Sequence, residues 1–71
     1  MSPFEEATGA VEVFDEPRGL GTVRGDDGAA VPFHCTAIAD GTRFIEVGTE
    51  VSFQIVPGPR GRWEAASIAP S

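Results

Sequence analysis

Lysine is absent from this chain of 71 residues, and its five basic side chains are all arginines. Against eleven acidic residues they give a formal net charge of −6, which repels phosphate groups at long range. This small acidic protein is therefore not expected to bind nucleic acid tightly through charge. Binding through stacking is not excluded by the charge, because stacking on side-chain rings supplies much of the affinity for single strands. An acidic surface also fits a protein that is simply soluble.

Cysteine and long apolar runs are also scarce. Cys35 is the single cysteine, so no disulfide can form within the chain, and a small domain without such bridges is typical of a reducing cytoplasm. No apolar run approaches the roughly 18 residues that a membrane helix needs. The beginning of the chain carries Glu5 and Glu6 where a signal peptide would have basic residues. We therefore expect a soluble, cytoplasmic protein that does not enter a membrane.

Residues that could carry catalysis are few. The single histidine, His34, stands next to the single cysteine, and adjacent side chains on a strand point to opposite faces, where they cannot easily exchange a proton. A structural zinc site needs four ligands, and this pair supplies two. Gly19 and Gly21 are followed neither by a helix start nor by the Gly-Lys-Ser/Thr ending of a phosphate loop. We expect no enzyme, metal site or cofactor.

What the chain does contain is a series of short apolar runs separated by glycine and proline. The run 51–55 alternates strictly between apolar and polar residues, the period of a strand with one buried face. Residues 1–8 are interpreted as a loose lead-in and 9–69 as one domain. Five short strands without a long helix favour a closed antiparallel barrel, because closure removes exposed edges. We predict strands over 10–15, 20–24, 30–34, 51–55 and 63–69 and a helical turn over 36–38.

The predicted core consists of the apolar residues that alternate inward: Val11, Val23, Val31, Phe33, Ile38, Val51, Phe53, Ile55 and Ile68. Two positions depart from simple strands. Phe14 follows Val13 directly and breaks the period of two, which indicates a bulge. Pro32 has no amide hydrogen, so its position indicates a sheet edge or a local irregularity.

Three segments resemble a cold-shock domain: Gly-Ala-Val-Glu-Val-Phe at 9–14, Arg-Gly-Leu-Gly-Thr-Val at 18–23 and Val-Pro-Phe-His-Cys-Thr-Ala-Ile at 31–38. The likeness continues through 48–56 and 64–68 and covers about the whole chain. It implies a five-stranded antiparallel barrel of the oligonucleotide-binding type (the OB-fold), with RNA-binding motifs on the second and third of these segments. In that family the glycines of the second segment help the strand to coil and leave the surface open to bases.

Most base-stacking residues of that family are replaced here. Lysine, tryptophan and phenylalanine of the first strand correspond to Glu12, Val13 and Phe14. Two phenylalanines of the glycine-rich motif correspond to Leu20 and Thr22, and a loop aromatic corresponds to Thr42. The family's Val-Phe-Val-His-Phe corresponds to residues 31–35, in which Pro32 and Cys35 replace the two phenylalanines. Phe14 and His34 are retained, and Arg18 replaces the usual lysine.

The resemblance thus implies weak, salt-sensitive binding of single-stranded RNA or DNA. Arg60 and Arg62 could compensate by stacking on bases or pairing with phosphates, and Trp63 by stacking. Trp63 is equally compatible with a barrel-end residue, and His34 with a surface imidazole that has no task. The predicted nucleic-acid-binding residues are Phe14, Arg18, Leu20, Thr22, Pro32, His34, Arg60, Arg62 and Trp63.

A second hypothesis uses the same surface. Val13, Leu20, Thr22, Pro32 and Cys35 would form a flat, mildly apolar face, which suits a protein partner or a homodimer contact. The two hypotheses differ in whether this face attracts bases or apolar side chains.

Overall fold

The computed structural model describes residues 5–39, 41, 43–58 and 61–71. Its strands pair antiparallel in one sheet with the order β3-β2-β1-β4-β5. A parallel bridge between Ile38 and Ile68 joins the two ends of that sheet, so the sheet curls into a barrel. The predicted all-β class is confirmed. The elements are β1 (Glu5–Asp15), β2 (Leu20–Gly25), β3 (Ala30–His34), a 3-10 turn (Cys35–Ala37), β4 (Glu50–Pro57) and β5 (Trp63–Pro70).

β1 begins earlier than predicted. Residues 5–8, expected to belong to a loose lead-in, form its first part, and Ala7 and Thr8 pair with Phe53 and Ser52 of β4. The Thr8 hydroxyl also donates a hydrogen bond to Asp26 at 2.5 Å. The prediction for these four residues was wrong, because β4 supplies ladder partners that the local sequence does not reveal. Residues 1–4 lie outside the described part of the chain.

The bulge expected near Phe14 lies at Glu12. The β1–β2 ladder passes from the pair Val11 and Val23 to the pair Val13 and Thr22, leaving Glu12 without an opposite residue. Both Glu12 and Val13 are consequently exposed, because the extra residue shifts the alternation of the strand. The bulge therefore turns Val13 outward, onto the apolar face to which the sequence comparison assigned it.

The barrel interior is filled by apolar side chains. Eight of the predicted core residues are buried, and Ile45 and Ala65 join them, whereas Ile55 is only partly buried and packs against the cluster from its margin. The next position on the Ile55 face of β4, Pro57, is exposed, so this face leaves the core toward the end of the strand. The buried cluster is Val11, Val23, Val31, Phe33, Ile38, Ile45, Val51, Phe53, Ala65 and Ile68.

Candidate nucleic-acid interface

Side chains of three neighbouring strands form the surface that the sequence motifs indicated. Leu20 lies opposite His34, and Thr22 lies opposite both Pro32 and Val13. Directly opposite residues share one face of an antiparallel sheet, so these five residues form one continuous surface, here called the outer face. Val13 is 52% exposed and Leu20 is 40% exposed. The outer face is thus largely apolar, with a single ionisable side chain, His34.

Alternation along β2 and β3 explains why these side chains point outward. Gly21 and Val23 of β2 are buried, as are Val31 and Phe33 of β3. Because successive strand residues point to opposite sides, the residues between them face solvent. Pro32 and His34 of β3 therefore point outward, and Val31 and Phe33 point into the predicted core.

Pro32 lies on the free edge of β3. Cys35 donates its amide hydrogen to the Gly19 carbonyl, and Gly25 donates to the Ala29 carbonyl, both at 2.8 Å. In an antiparallel ladder every second pair exchanges such bonds, so the pair Thr22 and Pro32 falls on a position without them. The missing amide hydrogen of Pro32 therefore removes no bond to β2, as its place in the sequence suggested.

A groove runs along this edge between β3 and the start of β5. Its volume is ≈ 670 Å³, and we call it the β3–β5 groove. Two charged side chains, Arg62 and Glu64, border it on the β5 side. It is lined by Leu20, Gly21, Thr22, Pro32, Phe33, His34, Arg62 and Glu64. The groove thus brings together five of the predicted binding residues, namely Leu20, Thr22, Pro32, His34 and Arg62.

Phe14 lies elsewhere, on the core side of the sheet. It pairs with Gly21, and its ring stacks on the buried Phe33 ring at a centroid distance of 6.0 Å and an interplanar angle of 5°. Phe44 meets the Phe14 ring edge-on at 5.8 Å. Phe14 is thus partly buried between two neighbouring rings. Its role in binding bases stays a prediction.

Phe44 is the exposed aromatic ring that the sequence reasoning missed. It is 48% exposed and follows the loop position, Thr42, that was compared with the family's aromatic residue. Thr42 lies outside the described residues. The sequence does contain a signal for this position, since Phe44 is the single aromatic residue in the segment 39–49.

Trp63 is 60% exposed but does not line the β3–β5 groove. It pairs with Pro57, and its side chain points to the opposite side of β5 from Glu64, because the two are adjacent on a strand. The placement agrees with the alternative interpretation of Trp63 as a barrel-end residue.

Two of the described arginines are paired with carboxylates. Arg18 lies 3.6 Å from Asp15. Arg24 binds both carboxylate oxygens of Glu12, at 2.9 and 3.0 Å, and donates to the Gly28 carbonyl at 2.7 Å. These pairs lower the positive charge that Arg18 and Arg24 present to a phosphate. Arg62 has no ion pair within the described part of the chain, and Arg60 lies outside it.

Cys35 does not belong to the outer face, contrary to the protein-contact hypothesis. Its side chain is partly buried and packs against the core. The thiol lies against Gly19, where a side chain would collide with it. Cys35 is the first residue of the 3-10 turn, so the alternation of β3 has ended at this position.

None of the helical segments in the described ranges is both long and apolar enough to cross a membrane.

A five-stranded antiparallel barrel is the architecture of the oligonucleotide-binding class of small barrels, in which the face of the second and third strands binds the ligand. The family model of the 'Cold-shock' DNA-binding domain matches residues 7–70. The chain therefore belongs to the cold-shock domain family, a family of nucleic-acid-binding domains. The family and the fold inferred from the three sequence segments are both confirmed.

Several bacterial proteins are similar over nearly their full length. Cold shock-like protein CspD of Vibrio cholerae is 33% identical over 69 residues, covering 94% of this chain and 90% of the relative. CspD of Bacillus cereus is 44% identical over 62 residues, or 86% of this chain and 92% of the relative. Among solved structures, drosophila Unr CSD456 has a TM-score of 0.77 at 26% identity; the match covers 94% of this chain and 27% of that one.

Proposed function

We propose that this protein binds single-stranded RNA or DNA weakly and in a salt-sensitive manner, through the outer face and the β3–β5 groove. The observation that supports the proposal most is the convergence of Leu20, Thr22, Pro32, His34 and Arg62 on one groove. Nucleotide bases pack on the apolar floor and on the His34 ring. Arg62 faces the strand with a charge that no carboxylate neutralises in the described structure.

Weak affinity follows from the side chains that form this floor. Stacking of a base on an aromatic ring contributes about 1 to 3 kcal/mol, and the outer face offers one ring, His34. Leu20, Pro32 and Val13 provide apolar contact without the extended π-surface of phenylalanine or tryptophan. The net charge of −6 also repels the strand at long range. Raising the salt concentration screens only part of this repulsion, and it weakens the contact between Arg62 and phosphate.

Two arginine variants test the proposal. We expect Arg62→Gln to weaken binding of labelled seven-nucleotide DNA and RNA strands in fluorescence anisotropy. The slope of log K against log salt should become shallower by about 0.7, the value for one phosphate contact on a single strand. Arg43→Gln is the matched control, because Arg43 is exposed but lies outside the groove. Equal effects of the two substitutions would count against the groove, and no binding at low salt would refute the function.

Self-association or a protein contact is a second candidate, favoured by the exposure of Val13 and Leu20. Apolar side chains on an open sheet face are suited to a partner's apolar surface. Sedimentation at increasing concentration would reveal a homodimer, and Leu20→Glu should then dissociate it. A protein that stays monomeric and binds single strands would favour single-strand binding over this second candidate. The cytoplasmic location favoured by the single cysteine stays a prediction.

A further inference from the structure

We propose that Glu64 makes the β3–β5 groove selective for guanine over thymine and uracil. This inference rests on the proposed binding of single strands and adds the base that the groove prefers. Glu64 stands on β5 opposite Val56 of β4, with buried Ala65 next to it. Its side chain therefore points outward, and it lines the groove together with His34 and Arg62.

The Glu64 carboxylate lies next to Gly58, the residue that follows β4. Gly58 donates its amide hydrogen to the Arg62 carbonyl, and the Glu64 carboxylate occupies the space that a side chain at position 58 would need. A side chain at position 58 would collide with the Oε2 atom of Glu64 and with the Arg62 carbonyl. Glu64 is also partly buried. Glu64 thus lines the groove while its carboxylate lies close to the Gly58 backbone.

Within the described residues this carboxylate has no hydrogen-bond or ion-pair partner. Glu12 and Asp15 each pair with an arginine, so their charge is already matched. Glu64 lines the same groove as Arg62 but does not form a salt bridge with it. A partly buried carboxylate whose acceptor oxygens are unused gains from a ligand that brings hydrogen-bond donors.

Guanine offers the best complement among the bases. Its Watson–Crick edge carries two adjacent donors, N1–H and the N2 amine, which match the two oxygens of a carboxylate in a bidentate, charge-assisted pair. Thymine and uracil carry one donor between two carbonyl oxygens, and those oxygens are repelled by the carboxylate. Cytosine and adenine offer one amine beside an acceptor nitrogen. The phosphate backbone is repelled by Glu64, so the carboxylate faces a base edge.

The rest of the groove fits this arrangement. Leu20, Pro32 and His34 form a floor on which the face of the base packs. Arg62 lies on the same wall as Glu64 and can reach the adjoining phosphate or the O6 acceptor of guanine, a preferred arginine contact. When guanine turns its donor edge toward Glu64 and its O6 acceptor toward Arg62, the two contacts together define one orientation of this base.

The test compares three seven-nucleotide DNA strands: oligothymidine, the same strand with one central guanine, and the same strand with central hypoxanthine, which lacks the N2 amine. The wild-type protein should bind the guanine strand about tenfold more tightly than oligothymidine, within the range for one bidentate base contact. The hypoxanthine strand should lose most of this preference. Glu64→Gln should bring the guanine-to-thymine ratio close to one, while binding of oligothymidine is retained or improved.

Glu50→Gln is the matched control, because it removes the same charge at an exposed position outside the groove and should leave the ratio unchanged. Equal wild-type binding of the guanine and thymine strands, or a preference that survives in Glu64→Gln, would overturn the guanine inference and leave the single-strand function standing. If none of the three strands binds at low salt, both proposals are refuted.

Discussion

Gly21 of β2 pairs with Phe33 of β3, and the Phe33 ring occupies the space where a side chain at position 21 would lie. The expectation for this glycine was a surface left open to bases. Gly21 is instead buried, and the space that it leaves is on the core side of the sheet. Because Gly21 has no side chain, the Phe33 ring can pack in the core directly below the outer face.

Gly21→Ala should therefore destabilise the protein. The added methyl group would meet both the Phe33 ring and the Val13 carbonyl, and overpacking of this kind costs about 1 to 3 kcal/mol. Urea unfolding measures the loss. Gly25→Ala is a milder comparison, because its nearest neighbour is the end of the exposed Asp27 side chain. If Phe33→Leu does not relieve the effect in the double variant, the collision with the ring is not its cause.

Phe53→Ala should unfold the domain or nearly so. Phe53 is 2% exposed, and removal of a buried phenylalanine costs about 3 to 5 kcal/mol, which is comparable to the whole stability of many small domains. Circular dichroism and thermal unfolding measure the outcome. Trp63→Ala removes a larger ring from an exposed site and should change the stability little. A cooperatively folded Phe53→Ala variant of near wild-type stability would contradict the assigned core.

Leu20→Phe with Thr22→Phe should raise the affinity for pyrimidine-rich strands by about tenfold or more, taking the low end of the stacking energy for each ring. Both positions lie on the outer face beside Pro32, and Pro32→Phe should increase the affinity further. Ser52→Phe, on the exposed side of β4, adds a ring away from this surface and should have no such effect. Unchanged affinity in a folded double variant would favour the protein-contact hypothesis.

Glu12→Lys should steepen the salt dependence by more than one phosphate contact. Glu12 holds Arg24 through both carboxylate oxygens, so the substitution adds one cation and releases another. The slope of log K against log salt should change by about 1.4, and in Glu12→Gln, which only releases Arg24, by about 0.7. Equal slopes for the two variants would show that the added lysine does not reach the strand.

The strands and most of the core could be predicted because alternation is a local signal. The period of two is visible directly at Val31 and Phe33 and again at Val51 and Phe53. Pro32 indicates the edge of the sheet because it lacks an amide hydrogen. Residues 5–8 could not be assigned, because their strand depends on pairing with distant β4 residues. The shift in alternation at Glu12 likewise depends on the opposite strand.

The binding surface was predictable only in part. Motif positions gave Leu20, Thr22, Pro32 and His34, whereas the side of β5 that faces β3 is set by closure of the barrel. For this reason Trp63 was proposed and Glu64 was missed, although the two are adjacent in sequence. Phe14 was retained from the family pattern, but its ring stacks on Phe33 in the structure.

The most direct test of the binding surface is a titration of the isotope-labelled protein with a short single strand at low salt, followed by amide chemical shifts. We expect the largest changes at residues 20–22, 32–34 and 62–64, which border the β3–β5 groove, and little change along the exposed side of β4. Changes that cluster away from the groove, or an unresponsive spectrum at saturating strand concentration, would contradict the account.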